Sequence, residues 1–143
     1  MSEKKSTGAA LTPRPAPRLT SQTAGYWKAA REGRLLLGDC AACGKLSHPP
    51  RTLCPFCWTA GLGNRKASGK ATLNSFTVVH QSGVPALRER LPYIVAYVEL
   101  EEGIYVLSNL VNCPPAEARI GMALRVLFEA ITDESAAVLF EPA

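Results

Sequence analysis

The sequence predicts a mainly β protein, with one helix near the N-terminus, a short cysteine ribbon and a C-terminal barrel of about five strands. Three observations predict it. Four of the five cysteines form two CxxC pairs, Cys40 with Cys43 and Cys54 with Cys57, with ten residues between the pairs. Beyond Gly69, short runs rich in Val, Ile, Leu, Tyr and Phe alternate with segments carrying Gly, Pro or Asp, which is how strands joined by turns read. The length of 143 residues fits one domain, or two very small modules sharing a core, and excludes a multidomain enzyme.

Apolar residues make up 47% of the chain, enough to bury a core, so wholesale disorder is excluded. Sixteen basic residues against twelve acidic ones leave a formal charge of +4, a mild excess that suits phosphate-bearing ligands without implying nucleic acid. The opening MSEKKSTGAALTPRPAPR has no apolar run of the kind a secretory signal needs, and no later stretch is long and apolar enough to span a bilayer. A cytoplasmic protein is expected, with reduced cysteines and CxxC pairs that read as metal or redox sites.

Residues 1–20 carry Pro13, Pro15 and Pro17 among Lys, Arg, Ser and Thr. No helix propagates through that spacing, and a mobile or extended arm is expected. Residues 21–33 change to good helix formers: SQTAGYWKAAREG opens beside the candidate capping residues Thr20 and Ser21 and closes on Gly33. Tyr26 and Trp27 read as core or docking residues of this amphipathic helix. Residues 34–63 form the ribbon, with RLLLG as a short strand into the first cysteine pair and HPPRTLCPFC leading into the second. The segment GLGNRKASG is Gly-rich and basic and reads as a linker or exposed turn, lacking the spacing and following helix of a phosphate loop.

Residues 64–143 hold the strand-like runs ATLNSFTVVHQ, YIVAYVEL, IYVLSNLV, ALRVLFEA and AAVLF. In the second run Ile94, Ala96, Val98 and Leu100 are placed to face a core while Tyr93, Val95, Tyr97 and Glu99 face the other way. Glu101, Glu102 and Gly103 supply a turn, making YIVAYVELEEGIYVLSNLV a β-hairpin. Five short strands in one compact segment suit an OB-fold barrel, with a sandwich as the alternative.

The two cysteine pairs supply two knuckles, each presenting two thiolates at a tight turn, and together a tetrahedral sulfur shell for one structural zinc ion. Gly44 and Pro55 fit the sharp turns that aim backbone amides at the sulfurs. Two redox pairs, or iron in place of zinc, are the alternatives. Four thiolates leave zinc no open position, which argues against catalysis at the ion. His48 lies in the connection between the knuckles, where a fifth ligand is not needed, and His80 has no neighbouring Ser, Cys or acid to mark it as a base, so a rim or core contact is expected of it. Cys113 lacks an identifiable base and reads as a buried free thiol. Arg65, Lys66, Arg88 and Arg90 are candidate contacts for the phosphates of a nucleotide-like ligand, against the plainer reading of a solvated surface.

The order of pieces YWKAAREGRLLLGDCAACGK, HPPRTLCPFC, GKATLNSFTVVH, LPYIVAYVELEEGIYVLSNL, IGMALRVLFE and VLFEPA resembles the zinc-ribbon and OB-fold family of acyl-CoA-associated proteins, long catalogued as a domain of unknown function. The resemblance covers about residues 22–142 and implies a rubredoxin-like zinc ribbon followed by an OB-fold. It also implies a non-catalytic subunit of a thiolase-like enzyme complex acting on acyl-CoA thioesters, in which the partner supplies the chemistry and CoA is enclosed between subunits. Arg65, Lys66, Arg88 and Arg90 would then meet the CoA phosphates. The family commonly has an aromatic residue where His48 stands, and some members are fused to a hydratase domain, whereas this sequence is expected to stand alone. Two other functions compete. A single-stranded nucleic-acid-binding module uses the same parts and predicts salt-dependent oligonucleotide binding, but 7% aromatic residues furnish a stacking groove poorly. A free-standing enzyme would need Cys113 as its nucleophile.

Overall fold

The computed structural model describes residues 10–143. Helix α1 spans Ala24–Arg31; Ala, Lys and Arg supply five of its eight residues beside Gly25, Tyr26 and Trp27, and it holds no Pro or β-branched residue. Its start is set by a reciprocal pair just upstream. The Thr23 amide donates to Thr20 Oγ1 (3.2 Å), the Thr20 amide donates to Thr23 Oγ1 (3.0 Å), and Thr20 O accepts from the Ala24 amide (2.8 Å). Its end is a left-handed turn at Gly33 (φ 80°), where the Gly33 amide reaches Ala30 O and the Arg34 amide reaches Ala29 O. The small residues Ala29 and Ala30 are fully buried, so the helix sits close against two strands of the barrel described below.

The ribbon is a three-stranded antiparallel sheet in which β1 (Leu36–Asp39) lies between β2 (Leu46–Ser47) and β3 (Gly63–Lys66). Strand β3 lies inside the segment expected to be a linker or turn. That expectation is corrected for a physical reason: β1 has a second edge whose amides and carbonyls need partners, and Gly63–Lys66 supplies them in register from Leu36↔Lys66 to Asp39↔Gly63. All four β3 side chains are exposed, so no apolar alternation marks the strand in sequence. The ribbon sheet runs to Lys66.

The remaining strands are β4 (Lys70–Val79), β5 (Tyr93–Leu100), β6 (Tyr105–Leu110), β7 (Ala123–Thr132) and β8 (Ser135–Pro142), closed into a barrel in the order β4-β5-β6-β8-β7. Closure excludes the sandwich. A short helix α2 (Pro85–Arg88) lies in the β4–β5 loop. The β5–β6 hairpin forms as expected, with Ile94, Ala96, Val98 and Leu100 inside. Gly69 (φ 86°) admits no side chain, because a Cβ there would stand 2.7 Å from Val126 Cγ1 while its carbonyl accepts from the Val126 amide. Strands β6 and β8 run parallel and share a single registered pair, Leu110↔Phe140. This is the shortest seam of the barrel.

Ribbon and barrel share one core. Leu35 and Leu37, flanking the first knuckle, are buried in the same cluster as Leu73, Ala96, Leu124 and Phe140. Each such leucine contributes about 1.5–3 kcal/mol by leaving water. The described part of the arm, residues 10–20, has no regular element but is tied down. Thr12 donates from both its amide and its hydroxyl to Glu89, and Arg14 donates to Asn109 on β6 (2.9 Å) and to Glu129 on β7 (3.2 Å). Residues 10–20 of the expected arm are thus docked on the rest of the chain, while residues 1–9 lie outside the described residues. Among the described residues no helix is long and apolar enough to cross a membrane.

Candidate metal centre

The two knuckles are built alike. In the first, the Cys40 amide donates to Lys45 O and the Gly44 amide to Cys40 O (2.7 Å); in the second, the Cys54 amide donates to Thr59 O and the Trp58 amide to Cys54 O (both 2.9 Å). The turn after each second cysteine needs a left-handed residue. Gly44 provides it at φ 72°, whereas the second knuckle makes the same turn with Trp58 at φ 64°, a conformation that costs a non-glycine residue about 1–2 kcal/mol.

These turns bring four sulfurs together. Cys40 Sγ and Cys57 Sγ are 3.6 Å apart, as are Cys43 Sγ and Cys54 Sγ, and all four lie within 4.8 Å of one another. A tetrahedron with Zn–S bonds of about 2.3 Å has edges of about 3.8 Å, so the cluster fits a tetrathiolate zinc. The Phe56 amide points at Cys54 Sγ (3.4 Å) and Thr59 Oγ1 lies 3.2 Å from Cys57 Sγ. Hydrogen bonding with Thr59 pulls the Cys57 thiol down to about 6. The Lys45 amide pulls Cys43 down too, but burial and the three neighbouring thiols outweigh it and push that thiol up to about 11. Four sulfurs this close cannot all ionise unaided, and a divalent cation resolves the conflict by displacing the protons.

His48 is not among the clustered donors. Its Nε2 lies 2.9 Å from Tyr26 Oη, and burial lowers the imidazole to about 4 and raises the Tyr26 phenol. His80 is exposed just beyond the end of β4, a rim position. Cys113, expected to be buried, is half-buried on the wall of a cavity of about 520 Å³, and burial followed by the nearby Glu117 carboxylate raises its thiol. Among the described residues no base contacts it; its Sγ reaches only Pro114 O, at 3.5 Å.

The four candidate phosphate contacts are not equivalent. Arg65 pairs with Asp39 (3.1 Å), Arg88 donates to the carbonyls of Ser82 and Gly83, and Arg90 donates to Thr12 O, Ala86 O and Glu129. Lys66 has no side-chain partner among the described residues and projects from β3. Only Arg90 lines the 520 Å³ cavity, together with Arg14. Both guanidinium groups grip Glu129, whose carboxyl stays below its usual range because these hydrogen bonds outweigh its burial. A second cavity, about 420 Å³ and lined by Tyr26, Trp27 and His48, shares Arg14, Asn109 and Leu139 with the first. Sequence reasoning passed over Arg14 and Glu129, which are 115 residues apart and carry no local motif.

The chain matches the family described as the ChsH2 rubredoxin-like zinc ribbon domain over residues 27–63, and the ChsH2 C-terminal OB-fold domain over residues 64–129. The chain belongs to the ChsH2 (DUF35) family. Among its relatives is a DUF35 domain-containing scaffold protein from Methanothermobacter thermautotrophicus, 33% identical over 81% of this chain and 88% of the relative. A probable enoyl-CoA hydratase alpha subunit from Thermomonospora curvata is 37% identical over 94% of this chain, but the chain spans only 41% of that relative's length. A solved structure titled Ltp2-ChsH2(DUF35) aldolase superposes with a TM-score of 0.78 at 34% identity, covering 89% of this chain and 98% of the matched one. A DUF35-family protein from Sulfolobus solfataricus, 12% identical with a TM-score of 0.61, shares the fold. The ChsH2-type ribbon and the four clustered cysteines together support a structural zinc.

Proposed function

We propose that this chain is a non-catalytic, zinc-containing subunit of a complex with a thiolase-like or aldolase enzyme that acts on acyl-CoA thioesters. The observation that carries the reading is the likeness, over 89% of this chain and 98% of the matched one, to a chain of the solved Ltp2-ChsH2(DUF35) aldolase; the scaffold names of other relatives agree with it. The chemistry of this chain points the same way. Its zinc would be held by Cys40, Cys43, Cys54 and Cys57 with no coordination position left for substrate. Its one remaining thiol, Cys113, has no base in contact among the described residues, and its two histidines are committed elsewhere or stand on the rim.

In this reading the acyl-CoA is handled mainly by the partner. A CoA phosphate would find Lys66 free, but would have to compete with Asp39 for Arg65, with loop carbonyls for Arg88 and with Glu129 for Arg90. The test is affinity purification of the tagged chain followed by size exclusion and mass spectrometry. A stoichiometric thiolase-like or aldolase subunit is expected. Recovery alone, or with nucleic acid that salt removes, sinks the proposal.

One observation favours the nucleic-acid reading as a second choice. Tyr97 and Tyr105 are exposed on the outer face of the β5–β6 hairpin and stacked, with centroids 5.1 Å apart and planes at 10°, and such rings can carry a base. Tyr105→Ala would then weaken oligonucleotide binding, measured by fluorescence anisotropy across a salt series.

A further inference from the structure

We propose that the second zinc knuckle, residues 51–61, is the surface that grips the enzyme partner, with Trp58 inserting into an apolar pocket of that partner whose rim carries carboxylates. The inference rests on the partner reading above and names the surface that would serve it.

Three observations converge on this knuckle. Of residues 51–61 only Cys54 is buried, and the exposed remainder includes Leu53 (43%), Phe56 (53%) and Trp58 (76%). The first knuckle has the same hydrogen bonds but places Gly44 and Lys45 where the second places Trp58 and Thr59. A large apolar side chain has therefore been set at a left-handed position where glycine would be unstrained, and its indole is left in water. Neither folding nor solubility gains from that choice. Strain retained at an exposed aromatic residue points to a use outside the chain, and tryptophan is the side chain most enriched among those that dominate interface affinity. Zinc would hold the knuckle rigid, so little ordering entropy would be lost when it docks.

Charge identifies what covers it. Between Asp39 and Glu89 the sequence has no carboxylate side chain, while it carries Lys45, Arg51, Arg65, Lys66, Lys70 and Arg88. Lys45 Nζ stands 4.8 Å above the Phe56 ring, and Arg51 borders a groove of about 400 Å³ that Leu53, Pro55 and Trp58 also line. Among the described residues neither cation has an acidic partner within this chain. A cation-flanked apolar prominence complements an apolar pocket rimmed by Asp or Glu. Aliphatic Leu53 and Pro55 beside the indole suit protein side chains better than a run of stacked bases.

The test compares zinc-loaded wild type with Trp58→Gly, Arg51→Glu and, as a control on the barrel face, Leu107→Glu, each titrated with the enzyme subunit that co-purifies with the wild type. Trp58→Gly is expected to keep one zinc and an unchanged or higher Tm, because the turn is relaxed, while its Kd for the partner rises about 30-fold or more. Arg51→Glu should slow association most at low salt. If Trp58→Gly binds within twofold of wild type, or Leu107→Glu alone loses the partner, the knuckle is not the docking surface even though the subunit reading stands. If the wild type brings down no such enzyme and its tryptophan fluorescence, in a response that Trp58→Gly loses, changes instead with a single-stranded oligonucleotide, both are overturned.

Discussion

His48 and Tyr26 stand 22 positions apart and share one hydrogen bond, in a place where burial keeps the imidazole neutral down to about pH 4. Unfolded, the same ring takes a proton near pH 6.5. Above that pH neither state is charged and the ring adds no pH dependence. As pH falls from about 6.5 towards 4 the unfolded chain protonates first, so stability drains away over that window, by about 3 kcal/mol at most. His48→Phe, which removes the titrating ring and keeps an aromatic side chain there, should flatten this acid limb. The check is the Tm difference between variant and wild type at several pH values, with zinc content followed because acid also releases the metal; equal slopes would refute it. The clustering of the four cysteines is legible because their spacing is local, whereas the Tyr26–His48 and Arg14–Glu129 contacts are not, since nothing near either residue in sequence signals its partner.

At the scale of elements, the strands that could be read are those with one face in the core. Strand β5 alternates cleanly, and its hairpin turn at residues 101–103 is written in Glu-Glu-Gly. Strand β3 was missed because its side chains are all exposed and its only reason to exist is the open edge of β1. The docking of residues 10–20 is not written in the sequence, because prolines describe the arm's shape and not what holds it. The ribbon's small sheet has few buried side chains beyond Leu35–Leu37 and two cysteines, so the ion's binding free energy, on the order of 10 kcal/mol, is a large share of its stability. Chelation, or Cys54→Ser, should therefore unfold the ribbon. Because Leu35 and Leu37 belong to the barrel's core, the barrel should lose stability with it, visible by circular dichroism as a single transition at lower temperature. An unchanged melting curve in excess chelator would show that the cluster is not needed for folding.

For the whole molecule, the sequence is joined by relatives named as scaffold proteins and by a likeness to the Ltp2-ChsH2(DUF35) aldolase, and among the described residues Cys113 Sγ reaches only a backbone carbonyl. The arm matters at this scale because Arg14 joins β6 to β7 across the intervening β8, over the seam where β6 and β8 share one registered pair. Arg14→Ala should raise hydrogen exchange at Leu110, Val111 and Phe140 several-fold while leaving the β4–β5 amides unchanged, since local opening follows the weakest pairing. Uniform exchange across the barrel would sink that expectation. The same seam bears on how the chain is made. Strand β8 follows both strands it pairs with, so β6 and β7 leave the ribosome with open edges and wait for Ser135–Pro142 to bridge them. Arg14 is synthesised before any of them, yet its two anchors come into place only when that last strand arrives, which makes the nascent barrel, and not the finished one, the form most exposed to mispairing.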